Sequence, residues 1–83
     1  MYYVYLVECS DHTFYIGFTT DVQKRIYAHN MSNTGAKYTK TRRPVTLRYT
    51  ESFETKSEAL KREYALKQLT RAQKEALISL TSA

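Results

Sequence analysis

Cysteine, proline and glycine are scarce in this 83-residue chain, which holds one Cys, one Pro, two Gly and no Trp. With Cys9 alone, an internal disulfide and a multi-thiolate zinc site are both excluded, and a lone cysteine is most often a small buried hydrophobe. No apolar run approaches the roughly 20 residues that a membrane span requires, so no membrane partner is expected. The amino terminus lacks a basic leader, an apolar stretch and a small-residue cleavage site; no signal peptide is evident and a cytoplasmic protein is expected. There is no internal repeat or low-complexity tract, and the length suits a single domain, 1–83, with one modest core.

Carboxylates are also few. Thirteen Lys and Arg face eight Asp and Glu, a formal charge of +5, which favours an acidic partner without naming it. The excess is concentrated: Lys37, Lys40, Arg42, Arg43 and Arg48 fall within a dozen residues that contain no carboxylate, with Tyr38 and three Thr among them. Such a segment suits nucleic-acid phosphate, although a solvated basic loop would look similar.

Residues 2–8 and 13–18 read as a hairpin, since both are rich in Tyr, Val, Ile and Phe and are separated by the polar cluster Ser10-Asp11-His12. Pairing that buries Val4 and Leu6 together with Phe14, Ile16 and Phe18 aligns even positions with even. Tyr3, Tyr5, Val7, Tyr15 and Gly17 then share the opposite face, a shallow platform that another backbone could approach at the glycine. Three helices are signalled by capping pairs, Thr20 with Gln23, Thr55 with Glu58 and Thr70 with Gln73. They are predicted over 21–30, 56–69 and from Arg71 to near the end. Between the first two lies a basic loop containing Gly35, followed by a strand opened by Pro44 in which Val45, Leu47 and Tyr49 alternate with polar residues. The order β-β-α-β-α-α predicts an α+β fold, a small three-stranded antiparallel sheet flanked by helices.

Some charges fall where apolar residues are expected. Val22 and Ile26 mark the inward stripe of the first helix, and helical spacing adds Arg25 and His29. Ala59, Leu60, Leu66 and Leu69 mark the stripe of the second, with Glu63 one turn away. A carboxylate there is costly unless it is paired or binds a metal. Arg25 and Glu63 read equally as a structural ion pair or as parts of a functional site, and His29 by itself reads as a satisfied histidine.

Tyr3-Val4-Tyr5 followed by Tyr15-Ile16-Gly17 resembles the paired strand motifs that name the GIY-YIG nuclease superfamily, and Arg25 and His29 follow at the spacing typical of its first helix. Gly35-Ala36-Lys37-Tyr38-Thr39, Arg42-Arg43-Pro44-Val45 and Ala59-Leu60-Lys61-Arg62-Glu63 resemble its small single-domain bacterial members, so the similarity spans nearly the whole chain. The superfamily includes the amino-terminal nuclease domain of the excision-repair protein UvrC, homing endonucleases and some restriction enzymes. Two departures stand out: Tyr3 replaces the first glycine of the motif, and no Asn follows Glu63 where several nucleases of the superfamily carry one. The resemblance implies phosphodiester hydrolysis with one Mg²⁺ or Mn²⁺ ion held by Glu63. It also implies Tyr5 or Tyr15 near the attacking water, one of them a candidate base, and Arg25 stabilising charge on the phosphate. Arg25, the metal and His29 as a cation would each favour an ionised tyrosine. The partner implied is nucleic acid, DNA favoured over RNA, and the alternative is a binding module with little or no turnover.

Overall fold

The computed structural model describes residues 1–31 and 37–81. Its elements are β1 (Tyr2–Glu8), β2 (Phe14–Thr19), α1 (Val22–Met31), the short α2 (Lys37–Lys40), β3 (Thr46–Phe53), α3 (Lys56–Lys67) and α4 (Arg71–Thr81). The three strands form one antiparallel sheet in the order β2-β1-β3, the α+β architecture expected. The Gly35 part of the basic loop falls on 32–36, outside the described residues. Among the described residues no helix is long and apolar enough to cross a membrane.

β1 is central, and this explains its composition. Val4, Tyr5, Leu6 and Val7 are buried in succession, because helices cover both faces of the sheet and side chains alternate between them. On one face Val4, Leu6 and Ile16 pack against Ala59 and Leu66 of α3 and Ile78 of α4. On the other, Tyr5 and Val7 pack with Cys9 and Val45, and with Tyr15 and Ile26 of α1 at the margin. The register is even on even, Val4 opposite Phe18 and Leu6 opposite Ile16, which sets Tyr5 opposite Gly17 and Val7 opposite Tyr15.

Four details depart from the sequence reading. First, β3 does not keep its alternation: Leu6 pairs with Tyr49 and Val7 with Leu47, so Arg48 is an extra residue, a β-bulge that shifts the side-chain period by one. Leu47 is consequently exposed while Tyr49 packs on the core. Second, α1 is capped by Asp21, whose Oδ1 accepts from the Lys24 amide at 3.1 Å, rather than by the Thr20–Gln23 pair. The other two caps form as expected: Thr55 Oγ1 accepts from Glu58 N at 3.2 Å, and Thr70 and Gln73 bond reciprocally at 2.9 and 3.2 Å. Third, Leu60 is 41% exposed, since Ala59, Glu63 and Leu66 define the inward line and Leu60 lies about 100° around the helix from Ala59. Finally, α2 is an element the chain pattern did not announce, one turn too short to show an apolar period.

Candidate active site

The polar site is assembled on the Tyr5 face by β1, β2, α1 and α2. Tyr5 is 1% exposed and its ring lies directly over Gly17; a Cβ on that glycine would sit 2.3 Å from the Tyr5 hydroxyl. The glycine therefore makes room for the tyrosine of the neighbouring strand, and the platform is filled from within rather than open to another backbone.

From Tyr5 a buried chain of hydrogen bonds runs outward. Arg25 Nε donates to Tyr5 Oη at 3.3 Å. Tyr5 Oη lies 2.8 Å from His29 Nε2, and His29 Nδ1 lies 2.7 Å from Thr39 Oγ1. His29 and Thr39 are both wholly buried, so each partner compensates the other's lost hydration. Helical spacing accounts for the α1 members: Arg25 and His29 are one turn apart on the face that meets β1. The His29 main-chain carbonyl accepts from Arg43 Nε, and Asn30 brackets Val45, accepting from its amide at 2.7 Å and donating to its carbonyl at 3.1 Å. These bonds tie α1 to the segment that enters β3.

The electrostatics reverse one expectation. His29 is pushed from 6.5 down to about 4, first by burial and then by the Arg25 and Arg43 guanidinium groups, so at neutral pH it is an uncharged imidazole and not a cation. The Tyr5 phenol is raised above its ordinary 10, because burial outweighs the bond and charge of Arg25 and because Tyr15 and Glu63 also oppose ionisation. Tyr5 is thus a neutral phenol at pH 7.

Tyr15 lies at the edge of this cluster, half-buried, with its ring edge-on to His29 at 5.4 Å between centroids. It also stacks on Tyr38 of α2 at 5.9 Å with planes 23° apart. Glu63 stands on α3, which packs on the face of the sheet opposite the Tyr5 cluster. Its side chain is 19% exposed and ion-pairs with Lys67 at 3.5 Å, one turn along the helix; its charge is the least of the influences that raise the Tyr5 phenol. Among the described residues no three His, Cys, Asp or Glu side chains gather into a ready-made metal cage. A single largely covered carboxylate suits a divalent cation held chiefly by water and substrate oxygens, the usual binding mode for a small hard cation.

The basic residues divide into two sets. Lys37 and Lys40 are exposed on α2. The three arginines have internal partners: Arg42 with Asp11 at 3.1 Å, Arg43 with the His29 carbonyl, and Arg48 with Glu8 at 3.6 Å. The acidic partners come from the β1–β2 hairpin, distant in sequence, which is why the segment looks uncompensated when read alone. Thr39, Asn30, Tyr38 and Asp11 were missed as members or supports of the site. The i, i+4 spacing of Tyr38 and Arg42 was the available signal for one of these contacts.

A buried Tyr–His–Thr chain, an arginine on the first helix and a carboxylate on the helix after β3 lie on a β-β-α-α-β-α-α frame, and the GIY-YIG catalytic domain matches residues 1–76. The chain belongs to the GIY-YIG family. Within it, the chain is 65% identical over 77 residues to a UPF0213 protein of Halobacterium salinarum, covering 93% of this chain and 99% of that one. It is 55% identical over 78 residues to a UPF0213 protein of Staphylococcus saprophyticus, covering 94% of each. The solution structure of a UPF0213 protein from Bacillus halodurans superposes with a TM-score of 0.63 at 48% identity, covering all of this chain and 88% of that one. That of a protein from E. faecalis gives 0.64 at 49% identity, covering 95% and 83%.

Proposed function

We propose that the protein is a divalent-metal-dependent nuclease hydrolysing phosphodiester bonds in nucleic acid, DNA in preference to RNA. The observation that carries this reading is the bond from Arg25 Nε to Tyr5 Oη, itself anchored on neutral, buried His29. This bond holds the Nε edge of a guanidinium against the tyrosine ahead of substrate, and a preorganised cation aimed at developing charge is the largest contribution a site of this kind can make. Tyr5, buried and held as a phenol, is a positioning residue. Tyr15 is accessible, and to it we assign the attacking water. In the reaction a water oxygen bonds to phosphorus, the bond from phosphorus to the leaving oxygen breaks, and the water's protons are shared between the new phosphate and the departing hydroxyl. Arg25 stabilises the charge that gathers on the non-bridging oxygens. Glu63 would hold the metal, which when bound neutralises phosphate charge and polarises the phosphorus centre. Lys37 and Lys40 supply exposed positive charge for the flanking phosphates, with Arg42, Arg43 and Arg48 adding to the field while serving their internal partners.

Incubation with branched, single-stranded and duplex DNA and with RNA, in Mg²⁺ or Mn²⁺ against EDTA, tests the reading. Metal-dependent products are expected on at least one DNA. Binding without products under every condition would instead establish the non-catalytic module, the reading that the missing late Asn favours.

A further inference from the structure

Arg42 was read from sequence as a phosphate contact, and its surroundings assign it different work. Its guanidinium lies 4.0 Å from the centre of the Tyr38 ring, Nη1 donates to the Tyr38 carbonyl at 2.8 Å, and Nε donates to Asp11 Oδ2 at 3.1 Å. The main chain repeats the link, with Ser10 N bonded to the Arg42 carbonyl at 2.9 Å and Arg42 N to the Thr39 carbonyl at 3.0 Å. Asp11 is itself held by Thr13, whose hydroxyl donates to Oδ1 at 2.6 Å. The hairpin turn between β1 and β2 thus grips Arg42, Arg42 grips Tyr38, and Tyr38 stacks on Tyr15. The next residue after Tyr38, Thr39, bonds to His29, so α2 touches both the ring and the hydrogen-bond chain of the site.

We propose that Tyr38 is a positioning residue for Tyr15, and that Asp11 and Arg42 form the clamp that holds it in place. This rests on the assignment of the attacking water to Tyr15. One turn of helix such as α2 has little stability of its own, so the clamp supplies what the helix lacks. The contact needs the ring of Tyr38 and not its hydroxyl, whereas Arg42 must be a planar fork to cover the ring and bond two oxygens together.

The test compares Tyr38→Ala, Tyr38→Phe, Arg42→Lys and Asp11→Asn in single-turnover cleavage, with KM and kcat separated, and in ring NMR of Tyr15 in the substrate-free protein. Tyr38→Ala is expected to lower kcat roughly ten- to hundredfold, the scale of a misplaced reacting group, with KM unchanged. Tyr38→Phe should restore kcat; Arg42→Lys should not. The Tyr15 ring resonances should move in Tyr38→Ala, Arg42→Lys and Asp11→Asn and stay in place in Tyr38→Phe. A rise in KM at constant kcat would make Tyr38 a substrate contact and overturn the proposal, as would unchanged kinetics in Tyr38→Ala. Wild-type protein without turnover would defeat the nuclease reading alone; unmoved Tyr15 resonances in Tyr38→Ala would then defeat the clamp independently. If Tyr38→Ala does not fold, Arg42→Lys and Asp11→Asn carry the same comparison.

Discussion

Burial of neutral His29 makes stability depend on pH in a window that ordinary carboxylates do not share. In the unfolded chain His29 titrates near 6.5, and in the fold at about 4. Because the folded value is the lower, the unfolded state binds the extra proton first. The stabilising contribution is complete above pH 6.5 and is lost progressively as pH falls through 6.5 towards 4. The full difference corresponds to roughly 3 kcal/mol, of which about 2 kcal/mol is lost by pH 5. For a small domain whose total stability is on the order of 5–15 kcal/mol, that is a large fraction. Urea unfolding at steps from pH 7.5 to 4.5, on wild type and on His29→Gln, measures it. Glutamine can keep one bond of the chain and does not titrate, so the variant is expected to be less stable at pH 7.5, by about 1–3 kcal/mol for the other bond. Its stability should be much flatter between pH 6.5 and 5. Parallel pH profiles for the two proteins would refute the claim that a neutral imidazole is held between Tyr5 and Thr39.

Three further outcomes follow from the packing and the charges. Gly17→Ala puts a Cβ 2.3 Å from the Tyr5 hydroxyl; the displaced ring should cost about 1–3 kcal/mol in thermal or urea unfolding, and Tyr5→Phe in the same background should relieve part of it. Glu63→Gln removes an i, i+4 pair with Lys67, the one ion pair Glu63 makes among the described residues, so in EDTA its stability should lie within about 0.5 kcal/mol of wild type, while any rise in melting temperature on adding Mg²⁺ should disappear. In duplex-DNA titrations, each of Lys37→Ala and Lys40→Ala should reduce the dependence of log K on log salt by about 0.9, the value for one phosphate contact, and an unchanged slope would make them merely solvated.

The hairpin register, the helix order and the inward positions of Arg25 and His29 were legible because each depends on local periodicity within one or two elements. Val4, Leu6 and Ile16 could face one way only, so Tyr5 had to meet Gly17. What the sequence did not disclose depends on partners far along the chain. The Arg48 bulge arises where β3 meets β1, more than 40 positions away, and a one-residue shift leaves no mark in a strand's composition. Arg42 looked uncompensated because Asp11 lies 31 residues earlier. His29 read as a potential cation because its charge is decided by burial in the finished fold and by the Arg25 and Arg43 guanidinium groups, and Arg43 lies 14 residues further along the chain. Equally, Glu63 could be set on the inward line of its helix by spacing, while its pairing with Lys67 was one of several equally spaced options.

The most direct test of the account is the single-turnover cleavage rate of Arg25→Ala relative to wild type, at saturating protein and with substrate affinity measured in the same buffer. If Arg25 is preorganised by Tyr5 for charge that appears only in the transition state, cleavage should fall by roughly a hundred- to a thousandfold, the cost of deleting one such donor, with a smaller loss of binding. Arg25→Lys should recover little, because a lysine ammonium cannot reproduce the planar fork. Equal cleavage by wild type and Arg25→Ala would contradict the account and leave Arg25 as a structural partner of the buried tyrosine.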